Sequence, residues 1–145
     1  MLVPAEQVFD CATNIKTMDE RIRRALSRGH TIDLTTTGRR SGVPRRVELV
    51  FHAIDGGVYI SGMPGFPRDW LANIRANPSV TFHLKGPVEA DLPATAREIT
   101  EPTERRRIME QVARNWGRRD VDRMMTGSPL IQVAIDGLTE START

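Results

Sequence analysis

Apolar and polar positions alternate along much of this chain, which is the pattern of short, half-buried β-strands. In residues 45–53, for example, Val47, Leu49 and Phe51 share one face, and the residues between them point away. Because successive side chains of a strand point to opposite faces, this period of two predicts one buried and one solvated face. Six runs either alternate in this way or are rich in β-branched residues, and each is a predicted strand. They are residues 32–37, 45–53, 58–61, 80–85, 88–99 and 129–135.

Glycine-containing turns connect the first three of these strands. Residues 55–57, Asp-Gly-Gly, form a strong tight-turn signal between the second and third strands. Short hairpin turns require positive φ angles, which Asp and Gly tolerate. A second glycine turn, at residues 38–42, separates the first two strands. The sequence therefore predicts a meander of three adjacent strands.

Three segments have the apolar spacing of helices. In the last of them, Ile108, Val112 and Trp116 lie on one side of an amphipathic pattern. The first carries Thr17 and Glu20 at the spacing of a capping box. The three segments are residues 17–27, 68–76 and 102–116, whereas residues 118–127 are polar and ambiguous.

Together these elements predict an α+β fold that is mainly β, a six-stranded antiparallel barrel or strongly curled sheet with flanking helices. Six short, mostly sequential strands favour this architecture, and no regular strand–helix repeat supports a doubly wound fold. At 145 residues the chain is expected to form a single domain, residues 1–145. Within it, residues 1–16 form an N-terminal segment and residues 138–145 a flexible tail.

Composition narrows the class of protein. Hydrophobic residues make up 39% of the chain and charged residues 27%. No apolar run approaches the ~20 residues of a membrane span, so we expect a soluble protein without an integral membrane segment. No secretory leader is recognisable, and the single cysteine, Cys11, excludes an internal disulfide and favours a reducing cytoplasm. The net charge of +3 comes with few aromatic residues, so nucleic-acid binding is not expected.

The strongest candidate for chemistry is the turn at residues 35–46, TTTGRRSGVPRR. Its glycines let backbone N–H groups point into one concavity, and its arginines supply forked donors for phosphate or carboxylate. Arg45 is in phase with Val47 and the buried face, whereas Arg46 points to solvent. Arg45 therefore either lies at the mouth of the core beside a bound anion or bends into water.

A second candidate is the glycine-containing loop at residues 61–65 with the helix that follows it. Free N–H groups at a helix N-terminus favour an anion. On that helix Trp70 belongs to the apolar stripe and Asn73 borders it. Either both residues contact a ligand, or Trp70 is a core anchor and Asn73 is a surface or turn-capping amide. Because strand order places both candidates beside the first three strands, a planar ligand fits between them with its phosphate on the arginine turn.

Other catalytic motifs are absent from the sequence. His30, His52 and His83 lack metal-ligand spacing, and structural or solvent-facing roles are expected for them. No nucleophile elbow, P-loop or dinucleotide fingerprint is present. We therefore assign no metal ligand and no catalytic residue from the sequence.

Three segments resemble the deazaflavin (coenzyme F420)-dependent nitroreductase and quinone reductase family. They are LTTTGRRSGVPR at residues 34–45, Ser61-Gly62, and WLANIRANP at residues 70–78. The resemblance implies the split β-barrel fold of the FMN-binding, pyridoxamine-phosphate-oxidase-like proteins. The loop before Trp70 is shorter than in well-known nitroreductases of this family, and residues 116–125 lack tyrosine, so nitroimidazole reduction is not implied.

The resemblance also implies a binding site for the anionic coenzyme. Ser61, Gly62 and Gly65 would approach the deazaflavin ring through backbone groups, with Trp70 and Asn73 supporting the groove from the helix. The phosphate and acidic tail would bind to Arg39, Arg40, Ser41, Gly42 and Arg45, and Pro44 of the same turn is counted with the coenzyme-binding residues.

The activity that the resemblance implies is that of an oxidoreductase. It would transfer a hydride from reduced F420 to an activated alkene, quinone or similar planar small-molecule electrophile, without a dedicated catalytic acid or base. Two alternatives stay open: an FMN-dependent oxidase or reductase of the same fold, and a non-catalytic deazaflavin-binding carrier. Related barrels are often dimers, which favours a homodimer.

Overall fold

In the computed structural model, which describes residues 20–136, six antiparallel strands close into a barrel. Around the barrel they follow the order β1-β2-β3-β6-β5-β4, so the predicted six-stranded antiparallel barrel is confirmed. The segment 1–16, the capping residue Thr17 and the tail 138–145 lie outside the described residues. The strands are β1 (Thr31–Thr37), β2 (Pro44–Ile54), β3 (Gly57–Ser61), β4 (Ser79–Leu84), β5 (Ala90–Glu98) and β6 (Leu130–Ile135).

The first three strands pair in the predicted order. Thr37 at the end of β1 lies opposite Pro44 at the start of β2, and β2 continues into β3 through a hairpin. In that hairpin Asp55 and Gly56 have φ angles of 51° and 78°. Two positive φ angles are the requirement of a type I′ turn, whose twist matches that of the paired strands. The Asp-Gly pair therefore determines this hairpin locally.

Within residues 20–136, four helices flank the barrel, and none of them is long and apolar enough to cross a membrane. The third begins where the carboxylate of Glu101 accepts hydrogen bonds from the N–H groups of Thr103 and Glu104. The fourth forms in the segment that was ambiguous in the sequence, because the fully buried Met124 anchors it to the barrel. The helices are α1 (residues 20–26), α2 (Asp69–Ala76), α3 (Pro102–Asn115) and α4 (Val121–Gly127).

Two apolar layers hold these elements together. Leu34, Phe51 and Phe82 belong to the layer inside the barrel, and each is at most 1% exposed. The rings of Phe51 and Phe82 meet edge to face with centroids 5.3 Å apart. In the outer layer, Met109 of α3 packs in one cluster with Leu130 of β6. Because side chains fill the barrel interior, a ligand has to bind between elements outside it.

His52 and His83 do not face solvent, and the structural alternative holds for both. They are 3% and 8% exposed, respectively. The imidazole of His52 lies 5.0 Å from the ring of Trp116 in an edge-to-face arrangement. His83 is hydrogen-bonded to Thr35 Oγ1 and to Asp91 Oδ1, each at 2.7 Å. Alternation along a strand cannot predict this, because it does not show which part of the outer face another element covers.

Candidate functional site

The glycine–arginine turn, which we define as residues 38–45, and helix α2 form the two sides of a groove of about 760 Å³. The turn and the start of β2 form one side, and the first turns of α2 form the other. The structure therefore brings together two candidates that lie about one quarter of the chain apart in sequence. Six of the residues predicted to bind a coenzyme line this groove: Arg39, Arg40, Ser41, Arg45, Trp70 and Asn73.

Backbone hydrogen bonds close the glycine–arginine turn into a compact loop. The N–H of Gly38 donates to the carbonyl of Val43 and the N–H of Gly42 to that of Gly38, both at 2.8 Å. Gly42 has a φ angle of 71°, which disfavours a side chain there. A Cβ on Gly38 would lie 2.7 Å from Ser41 Oγ. Gly42 and Pro44 shape the turn and the start of β2, and neither lines the groove.

Asn73 fastens the turn to α2. Its Oδ1 accepts hydrogen bonds from the N–H of Arg39 at 3.1 Å and from Arg39 Nη1 at 3.0 Å. Its Nδ2 donates to Thr36 Oγ1 at 3.1 Å. The side chain is 3% exposed, so these partners replace the water that a buried amide loses. The position on the helix indicated that Asn73 borders the buried face, but only the fold shows that its partners belong to the turn.

The arginines of the turn differ in how they are paired. Arg39 contacts Asn73 and, at 3.4 Å, the carboxylate of Asp69. Arg40 and Arg45 are exposed, line the groove, and form no ion pair with any residue in 20–136. Arg46 points the other way and pairs with Asp33 at 2.9 Å on the outer face of the barrel. With no carboxylate partner among the described residues, the guanidinium groups of Arg40 and Arg45 can receive an anion in the groove.

Trp70 combines the two roles that the sequence left open. It is 7% exposed and belongs to the apolar cluster inside the barrel. It also lines the groove, where its remaining surface adds an apolar wall opposite the arginines. The groove thus has a cationic side and an aromatic side, which suits a ligand with an anionic part and a planar part.

The loop residues predicted to approach a flavin ring lie outside this groove. Ser61 is 5% exposed, and its hydroxyl donates to the carbonyl of Pro129 at 2.6 Å. The N–H of Gly65 donates to the carbonyl of Gly127 at 3.1 Å. A Cβ on Gly62 would lie 2.6 Å from Arg68 Nη2, so this glycine makes room for a guanidinium. A role for these residues against the ring stays a prediction.

Arg68 is a groove residue that the sequence did not single out. Its Nη1 donates to the carbonyl of Phe66 at 3.0 Å and its Nη2 to that of Met63 at 2.8 Å. The guanidinium also lies 4.8 Å from the centroid of the Phe66 ring. Burial lowers the pKa of Arg68. No sequence signal points to this residue, because its partners are carbonyls whose positions depend on the path of the loop.

Comparison with known proteins links this geometry to a family. Residues 11–137 match the family model described as F420H(2)-dependent quinone reductase. A conserved hypothetical protein from Mycobacterium tuberculosis is similar in structure, with 21% identity and a TM-score of 0.66 over 81% of this chain and 79% of that one. A putative pyridoxamine 5′-phosphate oxidase from Listeria innocua has 17% identity and a TM-score of 0.60, over 81% of this chain and 93% of its own. A structure described as an F420-H2 dependent reductase (FDR-A) has 23% identity and a TM-score of 0.53, over 71% of this chain and 92% of that one.

The likenesses to solved structures are of low identity and concern the fold alone, a barrel like that of the putative pyridoxamine 5′-phosphate oxidase, as the family resemblance implied. The family match is of another kind, because it spans most of the chain and includes the turn, the loop and α2. The resemblance noted from the sequence is confirmed. This chain belongs to the F420H(2)-dependent quinone reductase family, a family of oxidoreductases that depend on the reduced deazaflavin coenzyme F420.

Proposed function

We propose that this oxidoreductase holds reduced F420 in the groove between the glycine–arginine turn and α2, and passes its hydride to a quinone, an activated alkene or a similar planar electrophile. The observation that carries the proposal is the pair Arg40 and Arg45. Both line the groove, both are exposed, and neither is paired with a described carboxylate. A free guanidinium fork binds phosphate or carboxylate through two parallel hydrogen bonds.

The groove fits an anionic, partly planar coenzyme. Its volume of about 760 Å³ lies within the range of small-molecule sites, about 300–1,000 Å³. The free arginines suit the phosphate and acidic tail, and Trp70 offers an apolar wall to a planar ring. Asp69, the one acidic residue among the described groove residues, has a side chain that is 92% exposed and can turn into water.

When bound, the reduced deazaflavin supplies a hydride. The residues of this chain bind and orient the reactants. Arg40 and Arg45 hold the anionic end, Asn73 keeps the turn against α2, and Trp70 excludes water from one side of the groove. Reduction of a quinone to a hydroquinone takes one hydride and one proton, and solvent reaches the open groove to supply that proton.

The loop between β3 and α2 is included in this proposal as the place of the ring. Arg68 lies on the groove and also contacts the loop through the carbonyls of Met63 and Phe66. The loop runs from Arg68 at the groove back to β3, and nothing lies within 4 Å of the position that a Cβ on Gly65 would take, so a ring in the groove can approach the loop backbone there. This placement supports the ring-binding role of Ser61, Gly62 and Gly65 through their backbone groups.

A homodimer is part of the same proposal. The groove is open on the side of the turn, where Val43 is 50% exposed. Hydride transfer benefits from the exclusion of water, and a second subunit seated on the turn would cover the groove. Light scattering coupled to size-exclusion chromatography measures the mass in solution, and a monomeric mass with and without coenzyme would contradict the dimer.

We also place the protein in the cytoplasm. Its only cysteine, Cys11, gives no opportunity for an internal disulfide. Fractionation of cells that express a tagged protein tests this location, and recovery outside the cytoplasmic fraction would contradict it.

The experiment that tests the proposal is a fluorescence titration with reduced and oxidised F420, with FMN in parallel. We expect F420 to bind with a dissociation constant in the low micromolar range, about 1–10 μM, and more weakly as salt increases. FMN, which lacks the acidic tail, should bind more weakly than F420. Absence of F420 binding at low salt would overturn the proposal.

Turnover distinguishes an enzyme from a carrier at this site. With reduced F420 present, oxidation of the coenzyme should require an added electrophile from a panel of quinones, enones and nitroaromatics. We expect quinones to support the fastest oxidation. Tight coenzyme binding without turnover of any member of the panel would favour the carrier instead.

A further inference from the structure

A second cavity, of about 600 Å³, lies on the opposite flank of α2 from the coenzyme groove. Trp70 and Asn73 line the groove, whereas Leu71 and Arg75 line the cavity, and these two pairs project from opposite sides of the helix at about 100° per residue. The two spaces share only Arg68. The cavity is therefore a separate site, and the proposed reaction does not use it.

Arg105 brings a positive charge to this cavity. Its guanidinium donates to the carbonyls of Ile99 at 2.9 Å, Met125 at 3.0 Å and Ser128 at 2.6 Å. A guanidinium has five N–H donors, so two remain. Within residues 20–136, Arg105 forms no ion pair with a carboxylate, and burial lowers its pKa. Carbonyl oxygens satisfy these hydrogen bonds without neutralising its charge, and Glu98, whose carboxylate also attracts Arg105, is already paired with Arg75.

The other charged residues of the cavity do not cancel this charge. Arg68 is likewise bound to two carbonyls and to no described carboxylate. Arg75 forms a bidentate pair with Glu98, with Nε–Oε1 and Nη2–Oε2 distances of 2.8 and 2.7 Å, so these two charges neutralise each other. The cavity is therefore left with the positive charges of Arg68 and Arg105, which attract an anion.

The hydroxyl of Ser128 is an independent indication of a ligand, because it lacks a hydrogen-bond partner among the described residues. Ser128 lines the cavity and is 5% exposed. Buried hydroxyl groups are almost always hydrogen-bonded, because burial removes their water. A ligand oxygen near Ser128 would satisfy this hydroxyl.

Apart from Thr100 and Thr126, the remaining lining of the cavity is mainly apolar. Leu71 and Pro67 line the α2 side, and Pro102 and Met125 line the side of the outer helices. Phe66 stands at the mouth with 59% of its surface exposed. An apolar lining with a few polar groups at one end is typical of sites that bind small organic molecules.

We propose that this cavity binds a small carboxylate with an apolar body, such as an aromatic monocarboxylate, at the same time as the coenzyme occupies its groove. The carboxylate faces Arg105 and Ser128, and the apolar body lies between Leu71 and Met125. This proposal goes beyond hydride transfer and holds whether or not F420 binds in the groove.

The test is isothermal titration of the whole protein with 1-naphthoate as the probe and 1-naphthylmethylamine as its cationic counterpart. We expect naphthoate to bind and the amine to bind at least about tenfold more weakly, because it carries the wrong charge. Thr126 is exposed and lines the cavity, so Thr126→Glu adds a negative charge without disturbing the core. This variant should weaken naphthoate binding about fivefold or more, while the matched neutral variant Thr126→Gln stays within about twofold.

Two further variants locate the probe. Ser128→Ala removes a hydroxyl without a described partner, so it should leave the melting temperature unchanged and weaken naphthoate binding. Arg45→Ala changes the coenzyme groove only and should leave naphthoate binding unchanged. Equal affinity of Thr126→Glu and Thr126→Gln for naphthoate, or a loss of binding in Arg45→Ala instead, would overturn the proposal. The coenzyme titration is a separate measurement, so the failure of either proposal is visible by itself.

Discussion

Arg45 and Asn73 line the same groove, but they contribute to it in different ways. Arg45 is exposed and has no ion-pair partner among the described residues, so its charge is available to a ligand. Asn73 is buried, and its amide is already engaged with Arg39 and Thr36. In the proposed function, Arg45 contributes binding energy to the coenzyme, and Asn73 holds the turn against α2. Substitution of each should therefore affect affinity and stability in different proportions.

Arg45→Ala should weaken F420 binding about tenfold or more, since a hydrogen bond between charged groups contributes about 1.5–3 kcal/mol. The melting temperature should stay nearly unchanged, because no described partner is lost. Arg46→Ala is the matched control: it removes the neighbouring charge on the outer face, where Arg46 pairs with Asp33. Coenzyme titration and thermal melting of both variants check this, and equal losses of affinity would contradict a specific role for Arg45.

Asn73→Ala should lower both stability and coenzyme affinity. It leaves the N–H of Arg39 and the hydroxyl of Thr36 without their partner, which should reduce the free energy of unfolding by about 2–4 kcal/mol. The turn then loses its attachment to α2, so F420 binds more weakly. Urea unfolding and coenzyme titration measure the two effects. A variant that loses affinity at full stability would place Asn73 with Arg45 as a direct ligand contact.

His52 should make stability depend on pH near neutrality. Asn115 Nδ2 donates to its Nδ1 at 3.0 Å, which fixes the neutral tautomer, and burial lowers the pKa of His52 from its ordinary value of 6.5. The unfolded chain therefore takes up a proton at a higher pH than the folded one. The stabilisation is complete above pH 6.5 and is lost as the pH falls toward the lowered pKa, by at most about 1.4 kcal/mol per pH unit.

Urea unfolding between pH 5 and pH 8, as an approximate range around the ordinary pKa of histidine, checks this expectation. His52→Gln should lose the slope that His52 causes and keep the rest of the pH profile. An identical slope in the protein and the variant would show that other groups cause it.

At the scale of elements, helix α2 depends on its attachments. It has only eight residues, and a helix of this length is not stable alone in water. Trp70 and Ile74 pack it against the barrel, Asn73 ties it to the turn, and Arg75 pairs with Glu98 at the end of β5. The groove lies on one side of this helix and the second cavity on the other. Its position therefore controls the shape of both.

The pair of Arg75 and Glu98 should contribute to stability only when the carboxyl is ionised. The hydrogen bond from Arg75 lowers the pKa of Glu98 below its ordinary value of 4.5. Its contribution is present above pH 4.5 and is lost as the pH falls through the lowered pKa. Glu98→Gln should therefore cost about 0.5–1 kcal/mol at neutral pH and almost nothing in acid, as measured by urea unfolding.

Asp122→Asn is the matched control for this prediction. It breaks an ion pair with Arg106 in which the carboxylate side chain is 89% exposed, compared with 24% for Glu98. A pair so well solvated should contribute little. A larger loss in Asp122→Asn than in Glu98→Gln would contradict the role given to α2's attachment.

At the scale of the whole molecule, the barrel interior is filled with side chains, so a ligand binds outside the barrel. Side chains of all six strands fill the interior, and α3 and α4 cover part of the outer face. Two spaces that can hold a ligand lie on either side of α2. In the proposed function the barrel supports the site, and the turn, the loop and α2 bind the coenzyme, as binding residues are often placed on loops that a scaffold positions.

The sequence by itself was sufficient to predict the six strands, the second hairpin and the family of this protein. The period of two predicted where the strands lie, since a strand with one buried face alternates apolar and polar residues. The Asp55-Gly56 pair predicted the hairpin, because few residues accept its positive φ angles. The phase of Arg45 relative to Val47 placed it toward the groove and Arg46 toward solvent. The motif around the turn and α2 was enough to identify the family.

The tertiary structure alone decided which groups meet across the chain. The partners of Asn73, the burial of His52 under α3, and the folding of α4 around Met124 all depend on contacts between distant segments. The charge of Arg105 and the hydroxyl of Ser128 face one cavity only because α3 and α4 close it against the barrel. Sequence periodicity determines which face of an element is buried, whereas the element that covers this face is determined by how the whole chain packs.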